Sequence, residues 1–233
     1  MTIVALTGAS GFIGSHVAEA LLRDGHTVRA VVRDKTNADK CAHLTALGAA
    51  HAAAGGGLEL FEGDLLVAGS FDAAFAGAEV VVHTAAVVEI LRTSDPQATI
   101  IDPSVRGVRH LLASLDASPS VRRLVHTSSI VAVYTYDKGD GHVFDEADWN
   151  DWSTAENDPY GFAKTEAERL VAAHRGAFDV VRCNPGVTLG PPMTKAHTKA
   201  STVLLRQLIY GNAQLNYPSS CVDARARRRG RRG

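Results

Sequence analysis

An α/β fold with a doubly wound parallel sheet is predicted by three observations. Short, almost continuously apolar runs alternate along the chain with amphipathic ones. A glycine-rich turn separates the first strand-like run from the first helix-like run. The length, 233 residues, suits one domain of this class.

The strand candidates are Ile3–Thr7, Thr27–Arg33, Leu58–Glu62, Glu79–His83, Arg123–Ser128 and Phe178–Cys183. They are short and rich in β-branched residues, the pattern of strands buried on both faces. The helix candidates are Phe12–Asp24, Thr36–Gly48, Phe71–Ala76, Pro96–Asp116, Tyr160–Arg175 and Thr198–Tyr210. In the first of these Ile13, Val17, Ala20 and Leu21 recur at helical spacing, and Gly25 ends it. The Ala/Gly-rich stretch Ala49–Gly57 reads as a loop. Right-handed crossovers between such strands leave a ligand crevice at their carboxyl ends.

Composition narrows the function classes. Hydrophobic residues make up 45% and charged residues 21%, as in a globular domain. No apolar run approaches the roughly 18 residues of a membrane span, and the first residues read as a strand rather than a signal peptide. Cys41, Cys183 and Cys221 are far apart, so neither a disulfide framework nor a metal site is expected, and a cytoplasmic location is. The net charge of −1 includes six arginines between 225 and 232. That segment lacks interleaved aromatics, so no nucleic-acid partner is expected.

The glycine turn reads Thr7-Gly8-Ala9-Ser10-Gly11-Phe12-Ile13-Gly14. Gly8 permits a tight turn out of the strand, Gly11 lets backbone approach a pyrophosphate, and Gly14 lets the helix pack on the sheet. The helix N-terminus then offers N–H groups and positive dipole to phosphates. This is the logic of a Rossmann-type dinucleotide site. An acidic residue at the end of the second strand would hold the ribose of NAD. Val32 stands there, followed by Arg33, which suits the 2′-phosphate of NADP, with Lys40 as a second cation. Asp34 is the counter-signal: if it faces the ribose instead, NAD gains ground. NADP(H) is therefore expected, with NAD(H) the alternative.

The TGxxGFIG turn, the Asp64-Leu65 pair after the third strand, the serine pair Ser128-Ser129 and Tyr160-x-x-x-Lys164 resemble the extended short-chain dehydrogenase/reductase superfamily. The resemblance implies cofactor contacts from Thr7, Gly8, Ser10, Gly11, Phe12, Ile13 and Gly14. It also implies contacts from Asp64 and Leu65 at the adenine and from Thr84, Ala85 and Ala86 along the ribose path. Pro185, Gly186 and Val187 would lie at the nicotinamide. It implies a catalytic set of Ser129, Tyr160 and Lys164, with Ser128 the fallback for the serine. Tyr160 would donate a proton, Ser129 polarise a carbonyl, and Lys164 hold the ribose and lower the phenol's pKa. Ser104 departs from the family's asparagine in the fourth helix.

Val28-Arg29-Ala30-Val31-Val32-Arg33-Asp34, Arg123-Leu124-Val125-His126-Thr127-Ser128-Ser129 and Phe144-Asp145-Glu146-Ala147-Asp148-Trp149-Asn150 narrow the resemblance. They are similar to the dihydroflavonol, cinnamoyl-CoA and aldehyde reductase group. That resemblance implies an NADP(H)-dependent oxidoreductase acting on a small-molecule carbonyl, as a monomer or homodimer. The alternatives are a nucleotide-sugar epimerase or dehydratase, a 3β-hydroxysteroid dehydrogenase, or a fragment that binds cofactor without turnover. Val87, Ile90, Val133 and Tyr134 are candidates for an apolar substrate wall. Members of this superfamily run beyond 300 residues, so a shortened substrate lobe and an out-of-frame Arg-rich end are expected. The expected division is 1–211, dinucleotide-binding with part of the substrate lobe, and 212–233, irregular.

Overall fold

The computed structural model describes residues 1–87, 94–135, 137–139, 141–198, 206, 209–210 and 221–224. Six parallel strands form one sheet: β1 (Ile3–Thr7), β2 (Thr27–Val32), β3 (Leu58–Glu62), β4 (Val80–His83), β5 (Arg123–Thr127) and β6 (Asp179–Cys183). Their spatial order is β3-β2-β1-β4-β5-β6. Strand order reverses between β1 and β4, where Thr7 pairs with His83, so the crevice opens above that pair.

Among the described residues five helices cover the two faces: α1 (Phe12–Arg23), α2 (Ala38–Ala50), α3 (Asp72–Phe75), α4 (Asp102–Asp116) and α5 (Pro159–Ala173). The period-2 geometry of a strand divides each apolar run between two cores. Val4, Leu6, Val28, Ala30 and Val32 point toward α1 and α2. Ala5, Val31, Val81 and Leu124 point toward α3, α4 and α5. Burial on both faces accounts for the continuous apolar runs.

Several boundaries differ from the sequence reading for physical reasons. Asp34 engages the Thr36 amide and hydroxyl in a turn, so α2 begins later, with Asn37 capping the Lys40 amide. Alanine's high helix propensity carries α2 through Ala50 and adds a 3-10 turn at Ala52–Ala54. Gly55, at φ +91°, ends it, so the expected loop from Ala49 is partly helical. The expected helix from Pro96 is divided into a π turn at Gln97–Ile101 and α4. Pro103 has no N–H to donate into the preceding turn, and the wider turn accommodates that. Ser104 donates back to the Ile100 carbonyl at 2.7 Å on the same stretch.

A second, two-stranded parallel sheet joins β7 (Val187–Leu189) and β8 (Cys221–Asp223). Both strands are too short to stand out by periodicity. β8 lies within the segment from 212 that was expected to be irregular. Most of the helix candidate Thr198–Tyr210 and the Arg-rich end lie outside the described residues. No helix among the described residues is long and apolar enough to cross a membrane.

Candidate active site

The glycine turn packs tightly at Gly8 and Gly14. Gly8 adopts φ +69°, and a Cβ there would meet the Ala85 amide nitrogen at 2.6 Å. A Cβ on Gly14 would overlap the Gly8 carbonyl and reach the Thr84 hydroxyl at 2.9 Å. Thr84 in turn donates to the Thr7 carbonyl at 2.7 Å, locking the end of β4 to the turn. Gly11 is the N-cap of α1, with no side-chain cap and no acidic residue in the first turn. The amides of Phe12, Ile13 and Gly14 therefore face the crevice without an internal acceptor.

That crevice is an open cleft of about 770 Å³, running from Arg33 at one end to Tyr160 and Lys164 at the other. Its size and shape suit a dinucleotide, and Ser128, on its wall, carries a buried hydroxyl with no partner among the described residues. Of the expected contacts, Gly8, Ser10, Gly11, Phe12, Ile13 and Gly14 line the cleft, as do Asp64, Leu65, Thr84, Ala85, Ala86, Pro185 and Gly186. Three do not. Thr7 is fully buried behind the turn, bonded through its hydroxyl to His83 Nδ1 at 2.7 Å. Lys40 is exposed on α2, away from the cleft wall, and Val187 turns away where Thr188 takes its place.

The second-strand end distinguishes two neighbouring charges. Arg33 is exposed and lines the cleft. The Asp34 carboxylate turns back to accept from the Thr36 amide at 2.9 Å and hydroxyl at 2.6 Å, which holds it below the usual carboxylate range. The cation, not the carboxylate, faces the cleft. Asp64 accepts from the Leu66 amide at 2.8 Å, and Ser70 braces its backbone.

At the opposite end Ser129, Tyr160 and Lys164 converge. Ser129 extends from β5 into a 3-10 turn, its hydroxyl accepting from the Val131 amide at 3.4 Å. Asp158 caps α5 by accepting from the Gly161 amide, and Pro159 occupies the first turn. Helical periodicity then sets Tyr160 and Lys164 on one face, with Lys164 Nζ 5.9 Å from the Tyr160 ring centre. The Ser129 hydroxyl lies beside the Tyr160 phenol on the cleft wall. Burial pushes the phenol's pKa up, and the Ser129 hydroxyl offsets this only in part. The expected lowering by Lys164 is not found. Lys164 is itself half-buried, and the desolvation brings its pKa down to about 8.

Of the substrate-wall candidates, Val87 lines the cleft, whereas Tyr134 packs against Phe144 with ring centres 5.1 Å apart. Val133 is absent from the cleft wall, and Ile90 lies outside the described residues.

Several neighbours of the site carry no catalytic role in the sequence reading. His83 and His126 stack 5.3 Å apart beneath the cleft. Burial holds both neutral, His126 at about 3. Glu168, one turn past Lys164, is 1% exposed. It accepts from Arg182 at 3.1 Å and from Asn184 at 2.6 Å. The i, i+4 spacing from Lys164 was the available signal for Glu168, and strand alternation puts Arg182 on the α5 side of β6.

The sequence profile of the NAD dependent epimerase/dehydratase family matches residues 4–227. The chain belongs to that family. Within it, the chain is 33% identical over 224 residues to tetraketide α-pyrone reductase 2 of Arabidopsis thaliana, covering 93% of this chain and 68% of the relative. It is 36% identical to a cinnamoyl-CoA reductase of Medicago truncatula, covering 87% and 63%. A yeast methylglyoxal/isovaleraldehyde reductase complexed with NADPH superposes with a TM-score of 0.77 at 26% identity, over 96% of this chain and 71% of that one. These findings bear out the Rossmann-type fold and the likeness to the reductase group read from the sequence. The chain spans 54 to 68% of the length of the curated relatives.

Proposed function

We propose that this chain carries the cofactor site and proton-donating cluster of an NADPH-dependent reductase that converts an aldehyde or ketone to an alcohol. One observation carries the reading. The cleft has a cation, Arg33, at one end and the Ser129–Tyr160–Lys164 cluster at the other, with uncapped helix amides between them. NADPH, when bound, supplies a hydride to the carbonyl carbon. The chain's residues do the rest. The first-turn amides of α1 hold the pyrophosphate, and Arg33 pairs with the 2′-phosphate. The Ser129 hydroxyl donates to the carbonyl oxygen, building stabilisation where negative charge develops. Tyr160 transfers its phenolic proton to that oxygen, which completes the alcohol and leaves a phenolate. Lys164, in its protonated form, offsets the phenolate charge.

A fluorescence titration of the chain with NADPH and NADH tests the cofactor half. NADPH should bind roughly tenfold tighter or more, and Arg33→Ala should remove that preference while leaving NADH unaffected. Equal affinities in the unaltered chain would refute the role of Arg33. A screen of aldehydes and ketones for NADPH oxidation tests the chemical half, and conversion of a nucleotide sugar without net NADPH use would replace the reductase reading with an epimerase one.

A further inference from the structure

Burying a carboxylate is costly unless it is paired and hydrogen-bonded. Glu168 is buried at a distance from the cleft mouth, yet both its oxygens are engaged. Arg182 Nη1 donates to Oε1 at 3.1 Å, and Asn184 Nδ2 donates to Oε2 at 2.6 Å. The same amide group of Asn184 donates to the Ser129 carbonyl at 3.0 Å. An amide has two hydrogens, so one reaches the carboxylate and the other the catalytic loop. Neighbouring backbone bonds close that loop onto β6, from the Ser128 amide to the Cys183 carbonyl and from the Ile130 amide to the Pro185 carbonyl. The only side chain reaching the Ser129 backbone, among the described residues, is Asn184.

We propose that Glu168 is a positioning residue of this site. Through Asn184 it sets the Ser129 loop, and hence the Ser129 hydroxyl against Tyr160, and it places a compensating negative charge one helical turn below Lys164. The catalytic consequence rests on the reductase reading given above. The groups facing Lys164 are few. Tyr160 and Glu168 share its helix, and His83 of β4 and His126 of β5 lie against it in their neutral forms. Ser104 of α4 lines the same small cavity. Asp158 faces Tyr160 from the start of α5. Arg182 of β6 faces Glu168 and also stacks over Trp149. Among the described residues Glu168 is thus the one anion that supports the Lys164 charge, opposing the desolvation that lowers its pKa.

Two substitutions separate the two roles. Glu168→Gln keeps the shape and an acceptor for Asn184 but removes the charge. The ionisation of Lys164, followed by NMR of its side-chain ¹⁵N resonance, should then move down by about 1 pH unit. The alkaline limb of the rate profile should follow it. Asn184→Ala keeps the charge but frees the Ser129 loop. It should leave the Lys164 titration in place and cut kcat about 10- to 100-fold, with NADPH affinity little changed. An unmoved Lys164 titration in folded Glu168→Gln overturns the charge role, and wild-type kcat in Asn184→Ala overturns the positioning role. If Glu168→Gln does not fold, Glu168→Asp retains the charge on a shorter arm. It should keep the titration and lose kcat, and the reverse result refutes the proposal. The Lys164 titration needs no turnover, so an unaltered chain that reduces no carbonyl would count against the reductase reading alone.

Discussion

Tyr160 is the residue on which the proposed chemistry turns. Its phenol is half-buried beside Ser129, and that desolvation raises its pKa, so it is held as a proton donor across the neutral range. Replacing it with phenylalanine removes one oxygen and leaves the ring. Tyr160→Phe should lower kcat by about 10²- to 10⁴-fold while the NADPH titration curve stays where it was. Retention of turnover would mean that another group supplies the proton. Lys164 is the counterpart. Its pKa of about 8 lies below the ordinary lysine value, so the unfolded chain binds this proton more tightly than the folded one. Between about pH 8 and 10.5 that difference makes stability at this group rise with pH, and the gain is lost as pH falls through 8. The half-buried ammonium is therefore a cost to folding at neutral pH, which is where the proposed chemistry would use it.

At the scale of elements, the turn from β1 into α1 has the least freedom. Gly8 sits in the left-handed region, and Gly14 packs on the Gly8 carbonyl across one turn of helix. A methyl on Gly14 would overlap the Gly8 backbone and the Thr84 hydroxyl, so α1 must lift from the sheet or the turn must reopen. Gly14→Ala should cost about 2 kcal/mol or more and abolish NADPH binding. Urea unfolding followed by circular dichroism, with a titration of the folded variant, reads both effects. An unchanged midpoint would show that the turn yields more easily than its packing implies. The division of the expected fourth helix is also an element-scale effect. Pro103 and the Ser104 hydroxyl both act on the backbone ladder, and together they mark where the π turn gives way to α4.

At the scale of the whole molecule, the sheet brings together groups that lie far apart in the chain. His83 and His126 meet on adjacent strands, stacked with their rings nearly parallel at 10°. Burial is the largest cause of the low pKa of each. The unfolded chain takes up protons at both positions near pH 6.5, whereas folded His126 does so only near 3. Stability from this pair is therefore present above pH 6.5 and drains away as pH falls toward 3. His126 alone should account for about 2–3 kcal/mol between pH 6.5 and 4.5. His126→Phe keeps the stacked ring and cannot titrate. Its urea midpoint should fall less steeply over that interval than that of the unaltered chain. Parallel slopes would assign the acid sensitivity to other groups.

How much was legible in the sequence follows the range of the interactions. The six strands, their parallel sense, the glycine turn and the i, i+4 pair of Tyr160 and Lys164 were determined by the sequence alone, because each depends on local periodicity or on one residue's backbone freedom. Tertiary structure decided the rest. It turned Asp34 back onto Thr36 and left Arg33 on the cleft wall. It kept Lys40 and Val187 off that wall, and it paired Val187–Leu189 with Cys221–Asp223. It also joined Glu168 to Ser129 through Asn184, and it raised the Tyr160 pKa where the motif implied a lowering. The reason is physical. Strand and helix patterns record which face of an element is buried. The orientation of a charge, the partner of a buried polar group and the proton affinity of an acid depend on desolvation and pairing summed over elements that only the fold brings together.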